Sequence, residues 1–174
     1  MDNEVLRNIK TRRSCRAYTA QQVEPEKLKA ILEAGTWAAS GMGRQAPKIV
    51  VLTDAAEIAE LERMNAEVLG NPEAHPFYGA PTVCVVLTDP EVNTCVEDGA
   101  LVIGNLMLAA HSLGVASCWI HRARQEFDSP AGKALLKKWG VDERYIGVGH
   151  CILGYAAQEL PAPKPRKDDY VIYR

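Results

Sequence analysis

YIGVGHCILGYA, residues 145–156, reads as one long strand with Gly147, Gly149 and Gly154 set inside an apolar run. A glycine-rich dinucleotide turn needs its glycines after a strand and ahead of a helix. Here they fall within the strand pattern itself, and no other strand is followed by such a turn. Three more buried strands are predicted, in KIVVLT (48–53), TVCVVLT (82–88) and VASCWI (115–120). Helical patterns separate them, an alternation that normally suggests a doubly wound parallel sheet. Without the fingerprint turn that assignment fails, and the strand order stays open on pattern alone.

The helices carry their own signals. In NEVLRNIK (3–10), Val5, Leu6 and Ile9 recur at helical spacing. Pro25 suits the first turn of a helix whose Leu28, Ile31 and Leu32 share a face. It leads into a glycine-containing loop, SGMGRQAP (40–47). Asp54 and Glu57 stand at capping-box spacing before a stripe of Ile58, Leu61 and Val68. EDGALVIGNLMLAAHSLG (97–114) is apolar enough to be buried nearly all round, and Gly114 closes it. Ser129–Pro130 and Gly140 bracket a further helix. ELPAPKPRKDD (159–169) is an extended tail ending in strand-like YVIY (170–173).

At 174 residues the chain suits one domain with a proper core. Its 47% hydrophobic and 24% charged residues are those of an ordinary globular protein. The longest apolar run contains Asn105, His111 and Ser112 and is too short and polar to span a bilayer. The first ten residues lack the apolar core of a signal peptide. A cytoplasmic protein without a membrane partner is therefore expected. Five dispersed cysteines with no C-x-x-C pair fit reduced thiols.

Charge is unevenly placed. Arg7, Lys10, Arg12, Arg13 and Arg16 are five of the 20 basic side chains; Lys164, Arg166 and Lys167 are three more. All 22 acidic residues lie outside these two segments. A duplex-binding surface needs a broad basic stripe and a high pI. With a pI near 6.1 and two small clusters, the pattern argues against nucleic acid and for a small anion. A phosphate monoester suits forked arginines and a hydroxyl such as Ser14. The competing reading is that Arg12, Arg13 and Arg16 merely favour a helix C-terminus.

Other constellations carry less. Cys118 with His121, and His150 with Cys151, could be offered as metal ligands, but each pair points to opposite faces of a strand; no metal is expected. Cys15 beside three arginines could be a thiolate, yet nothing local supplies a base or an oxyanion site. No catalytic side chain is assigned. A chain with so little acid, base or nucleophile points to a cofactor that does the chemistry.

Taken together, RRSCRAY, AASGMGRQAPKIVVLTD, YGAPTVCVVL, ALVIGNLMLAAHSLGVASCWI and PKPR resemble the FMN-dependent nitroreductase family, in the family's order and over nearly the whole chain. The resemblance implies one α+β domain over residues 1–174: a mixed, largely antiparallel sheet packed with helices, in an intertwined homodimer with FMN at the interface. It implies that Arg12, Arg13, Ser14 and Arg16 grip the flavin phosphate and pyrimidine edge, with Lys164 and Arg166 as a second clamp. Ser40, Met42, Gly43 and Gln45 would cover the flavin from the partner subunit. This sequence has Ala39 and Gly43 where the family usually has Pro and Asn. Ile120, His121 and Arg122 would lie against the ring; some relatives have Glu-Gly at the last two positions.

The implied activity is hydride transfer from NADH or NADPH through bound FMN to nitroaromatics, quinones or flavins. The alternative is a flavin-binding or redox-sensing protein without significant turnover.

Overall fold

Alternate residues of β2 (Thr82–Thr88) and β4 (Ile146–Gly154) face two different apolar cores in the computed structural model, which describes residues 1–174. Val83, Val85, Leu87 and Ile152 join one core; Cys84, Val86, Cys151 and Leu153 join the other. Every position in both strands is buried. β1 (Lys48–Leu52) and β3 (Ala116–Ile120) complete a four-stranded sheet in the order β1-β2-β4-β3.

All three neighbouring pairs are antiparallel. One parallel bridge, from Ser14 to Ser117, is added at the β3 edge. The fold is therefore α+β, and the parallel sheet suggested by the helix–strand alternation is corrected. The reason is physical: helices cover both faces, so strands of an antiparallel sheet become continuous apolar runs, the usual mark of parallel ones.

α2 (Pro25–Thr36) and α4 (Cys95–Ser112) pack on one face through Ile31, Val102, Ile103, Leu106 and Ala110. α3 (Ala55–Leu69), α5 (Ala123–Asp128) and α6 (Pro130–Lys138) cover the other through Leu61, Met64, Phe127, Leu135 and Leu136. The Asp54 carboxylate caps α3 by accepting from the Ala56 and Glu57 amides at 2.9 and 3.0 Å. Ser129 caps α6 by accepting from the Gly132 amide at 3.0 Å. Caps of this kind contribute about 1 kcal/mol each.

Three expectations change, and one short helix is added. The buried stripe of α3 uses Met64 and Asn65, while Val68 is exposed near the helix end. α4 is not buried all round, because Val96 and Leu101 point outward and are about half exposed. The added helix is α5, only 6 residues long. YVIY forms no strand: it has no ladder partner, and Tyr170–Tyr173 are exposed beyond a single 3-10 turn at Asp168–Tyr170.

α1 (Glu4–Thr11) buries no residue, and Val5 and Ile9 are exposed. It is tied to the C-terminal end of α4 by polar contacts: Asn8 donates to the Leu108 carbonyl at 2.9 Å, and Thr11 bonds His111 at 2.9 Å.

His150 is a core residue. Its Nε2 meets the Glu126 carboxylate of α5, both side chains are fully buried, and the imidazole packs edge-on to Phe77. All five cysteines are free and buried. Burial pushes the Cys84 thiol up to about 12 and raises Cys151 well above its ordinary value.

The glycines of β4 are there for close approach. A Cβ on Gly147 would stand 2.2 Å from the Ala123 carbonyl oxygen, and one on Gly149 would stand 2.6 Å from the Trp119 indole nitrogen. Gly147→Ala should therefore lower stability by about 1–3 kcal/mol through overpacking against helix backbone that cannot yield. Urea denaturation followed by circular dichroism checks this; an unchanged midpoint would mean that α5 shifts freely.

Candidate functional site

The two basic segments meet. Arg12, Arg13, Ser14, Lys164 and Arg166 line one cavity of about 720 Å³, together with Lys10, Ile9 and Pro161–Pro163. Residues about 150 positions apart thus surround one space because the tail after β4 runs back past α1. Arg12 caps α1, its amide donating to the Asn8 carbonyl. Its Nη1 is buried with no protein partner. A buried guanidinium nitrogen without an acceptor costs about 1–3 kcal/mol; the positive charge gathered around the cavity suits an anion.

Arg13 behaves differently. Its Nη1 donates to the carbonyls of Lys10 and Arg12 at 2.8 and 2.6 Å, so it braces the helix end. Both readings of the basic cluster therefore have a residue. Arg166 folds back to donate to the Lys164 carbonyl at 2.7 Å. Arg16 does not line the cavity. It lies near Cys118, whose thiol burial raises, while Ser14 and the charges of Arg16 and Arg12 oppose that rise.

β3 links this cavity to a second cluster. Ser14 bridges Ser117 near the start of the strand, and Ile120 ends it. Three residues along a strand cover about 10 Å. Beyond Ile120, Arg122 adopts φ +83° and ψ −3° and leads into α5. Side chains of its kind seldom enter this region. Asn65 of α3, fully buried, grips the turn: its Nδ2 donates to the His121 carbonyl at 2.9 Å, and its Oδ1 accepts from Arg122 Nε at 3.0 Å. The sequence reading passed over Asn65. The signal was its place four residues after Leu61, on the apolar stripe itself.

The loop residues lie elsewhere. Ser40 and Gln45 line a separate groove of about 930 Å³ between α2, β1 and α4. Met42 is 89% exposed and has φ +56°; Gly43 has φ +66° and Gln45 φ +51°. Ser40 Oγ accepts from the Gln45 amide at 3.1 Å, and buried Asp98 accepts from the Gly41 amide at 3.0 Å. Asp98 sits in the first turn of α4, whereas α1, whose end borders the basic cavity, is tied to the last turns of α4 through Leu108 and His111. An 18-residue helix is about 27 Å long, so one chain does not bring loop and cavity together.

Residues 9–155 match the sequence profile of the nitroreductase family. The chain belongs to the nitroreductase family. It superposes with a TM-score of 0.92 on a nitroreductase with bound FMN from Bacteroides fragilis, at 34% identity over 99% of this chain and 100% of that one. For a nitroreductase with bound FMN from Desulfitobacterium hafniense, the TM-score is 0.90 at 30% identity, over 100% of both chains. An Archaeoglobus fulgidus protein named "Putative NADH dehydrogenase/NAD(P)H nitroreductase" is 30% identical over 96% of this chain and 90% of its own length.

His111 reports on the charge in this nitroreductase-family cavity. Burial lowers its pKa first, and Arg12 and Arg13 lower it further. The folded chain thus resists protonating His111; its contribution to stability is present above the ordinary histidine range and is lost as pH falls through it. In an NMR titration, Arg12→Ala should move the His111 midpoint upward. A midpoint that stays put would mean that Arg12 does not act on the ring.

Proposed function

We propose that this chain is an FMN-dependent oxidoreductase that draws reducing equivalents from NADH or NADPH and passes them to electron-poor acceptors of the nitroaromatic, quinone or flavin classes. The observation that carries the reading is the single cavity that Arg12, Ser14, Lys164 and Arg166 line together, shared by both basic segments and about 10 Å along β3 from a tightly held turn. A ligand with an anionic end and a planar ring end suits that spacing. When bound, FMN supplies the chemistry: it accepts a hydride and gives up two electrons.

The chain's own residues bind and orient. Arg12, Ser14, Lys164 and Arg166 hold the phosphate, Arg13 braces the end of α1, and Arg16 adds field from outside the cavity. Ile120, His121 and Arg122 border the ring. Ser40, Met42, Gly43 and Gln45 reach a flavin held by a second copy, since they stand at the far end of α4 from their own cavity. A homodimer is further supported by the exposed apolar side chains of Val5, Ile9, Trp37, Met42, Leu101 and Tyr170–Tyr173. No helix is long and apolar enough to cross a membrane, and five unpaired thiols favour a reducing, cytoplasmic setting.

Purified protein should be yellow and dimeric by light scattering. Arg12→Ala and Arg166→Ala each remove one charged hydrogen-bond donor worth about 1.5–3 kcal/mol, or roughly 10- to 150-fold in affinity. That loss should fall on FMN and spare riboflavin, which has no phosphate. Arg16→Ala should cost less. Equal weakening of both flavins would sink the phosphate assignment. Steady NADH or NADPH oxidation with a quinone separates an enzyme from a flavin carrier, which is reduced once and stops.

A further inference from the structure

We propose that Asn65 is a positioning residue for the redox reaction: it holds Arg122, and with it the β3–α5 turn, in the left-handed backbone conformation that borders the flavin ring. The inference rests on the reading that FMN lies along β3.

The site is built from three elements. Asn65 is fully buried on the core-facing side of α3, where the other buried residues are Leu61, Met64 and Ala66. A polar side chain among these would be a liability if its amide were idle. Both ends are used, and both go to the same turn: one to the His121 carbonyl and one to the Arg122 side chain. Arg122 stands at φ +83°, a conformation that glycine takes freely and other L residues hold only when their surroundings enforce it. Below the turn, Ala123 rests on Gly147, and Glu126 is bonded to His150, so α5 is fixed to β4. These contacts hold the helix; the Asn65 amide holds the residue whose backbone is strained. A displacement of the turn by a fraction of an ångström would misplace whatever the ring must face.

The test compares Asn65→Ala in two backgrounds, the natural chain and Arg122→Gly, each loaded with FMN. Two readouts are followed: the anaerobic rate at which NADH bleaches the flavin, and hydrogen exchange of the Glu126 amide, which donates to the Arg122 carbonyl at 3.1 Å. In the natural background, Asn65→Ala should slow bleaching about tenfold and speed exchange, with FMN still bound. In the Arg122→Gly background the same change should alter either quantity by no more than about twofold, because glycine needs no clamp.

An equal penalty in both backgrounds overturns the proposal, as does an Asn65→Ala variant that melts earlier while bleaching and exchange stay normal. Should Asn65→Ala fail to fold, Arg122→Met keeps an L residue in the left-handed turn and removes the donor to Asn65. It should speed Glu126 exchange, whereas Arg122→Gly should not; equal exchange in the two variants overturns the clamp. Natural protein that binds no FMN defeats the flavin reading instead, and exchange of the Glu126 amide still decides the clamp.

Discussion

β4 has no face turned to water, and much of the structure follows from that constraint. A strand buried on both sides must have its edges paired and its neighbours fitted closely, and a polar side chain in it needs a partner from the core. Pairing comes from β2 and β3. His150, in the middle of the strand, meets Glu126 through Nε2 across the interface with α5, while its Nδ1 and the Glu126 Oε1 stay buried without a protein partner. Fit comes from Gly147 and Gly149, which let helix backbone and an indole ring lie directly on the strand. Together these place α5, and α5 in turn places the end of β3. The turn at His121–Arg122 is thus set by core packing behind it rather than by anything exposed.

The second organising force is charge. A chain with net charge −2 gathers Arg12, Arg13, Lys164 and Arg166 around one cavity. Like charges in one place repel; at His111, whose pKa burial lowers most, Arg12 and Arg13 lower it further. Such a concentration persists where an anion relieves it. Confining it to one cavity leaves the remaining surface acidic, which disfavours non-specific attachment to polyanions.

Much of this was legible in the residues. Four apolar runs located four strands, and Asp54, Ser129 and Pro25 marked helix starts that the structure keeps. Strand direction was not legible, because burial on both faces erases the in-out alternation that betrays an antiparallel pair. The meeting of residues 12–14 with 164–166 is a long-range event with no local signal, and only the shared need for positive charge hinted at it. Asn65 escaped notice for a different reason. In a helix crowded with glutamate, an asparagine looks like surface, and only its register with Leu61 placed it inside.

The thiols give the molecule a built-in clock. Cys84 and Cys151 face each other across the two central strands with no exposure to solvent, and their raised pKa values keep them from forming thiolates in the folded chain. An alkylating reagent reaches them only when the sheet opens. Cys95, at 8% exposure in the first turn of α4, needs far less disruption. Labelling rates at these positions therefore separate fraying of one helix end from rupture of the whole sheet.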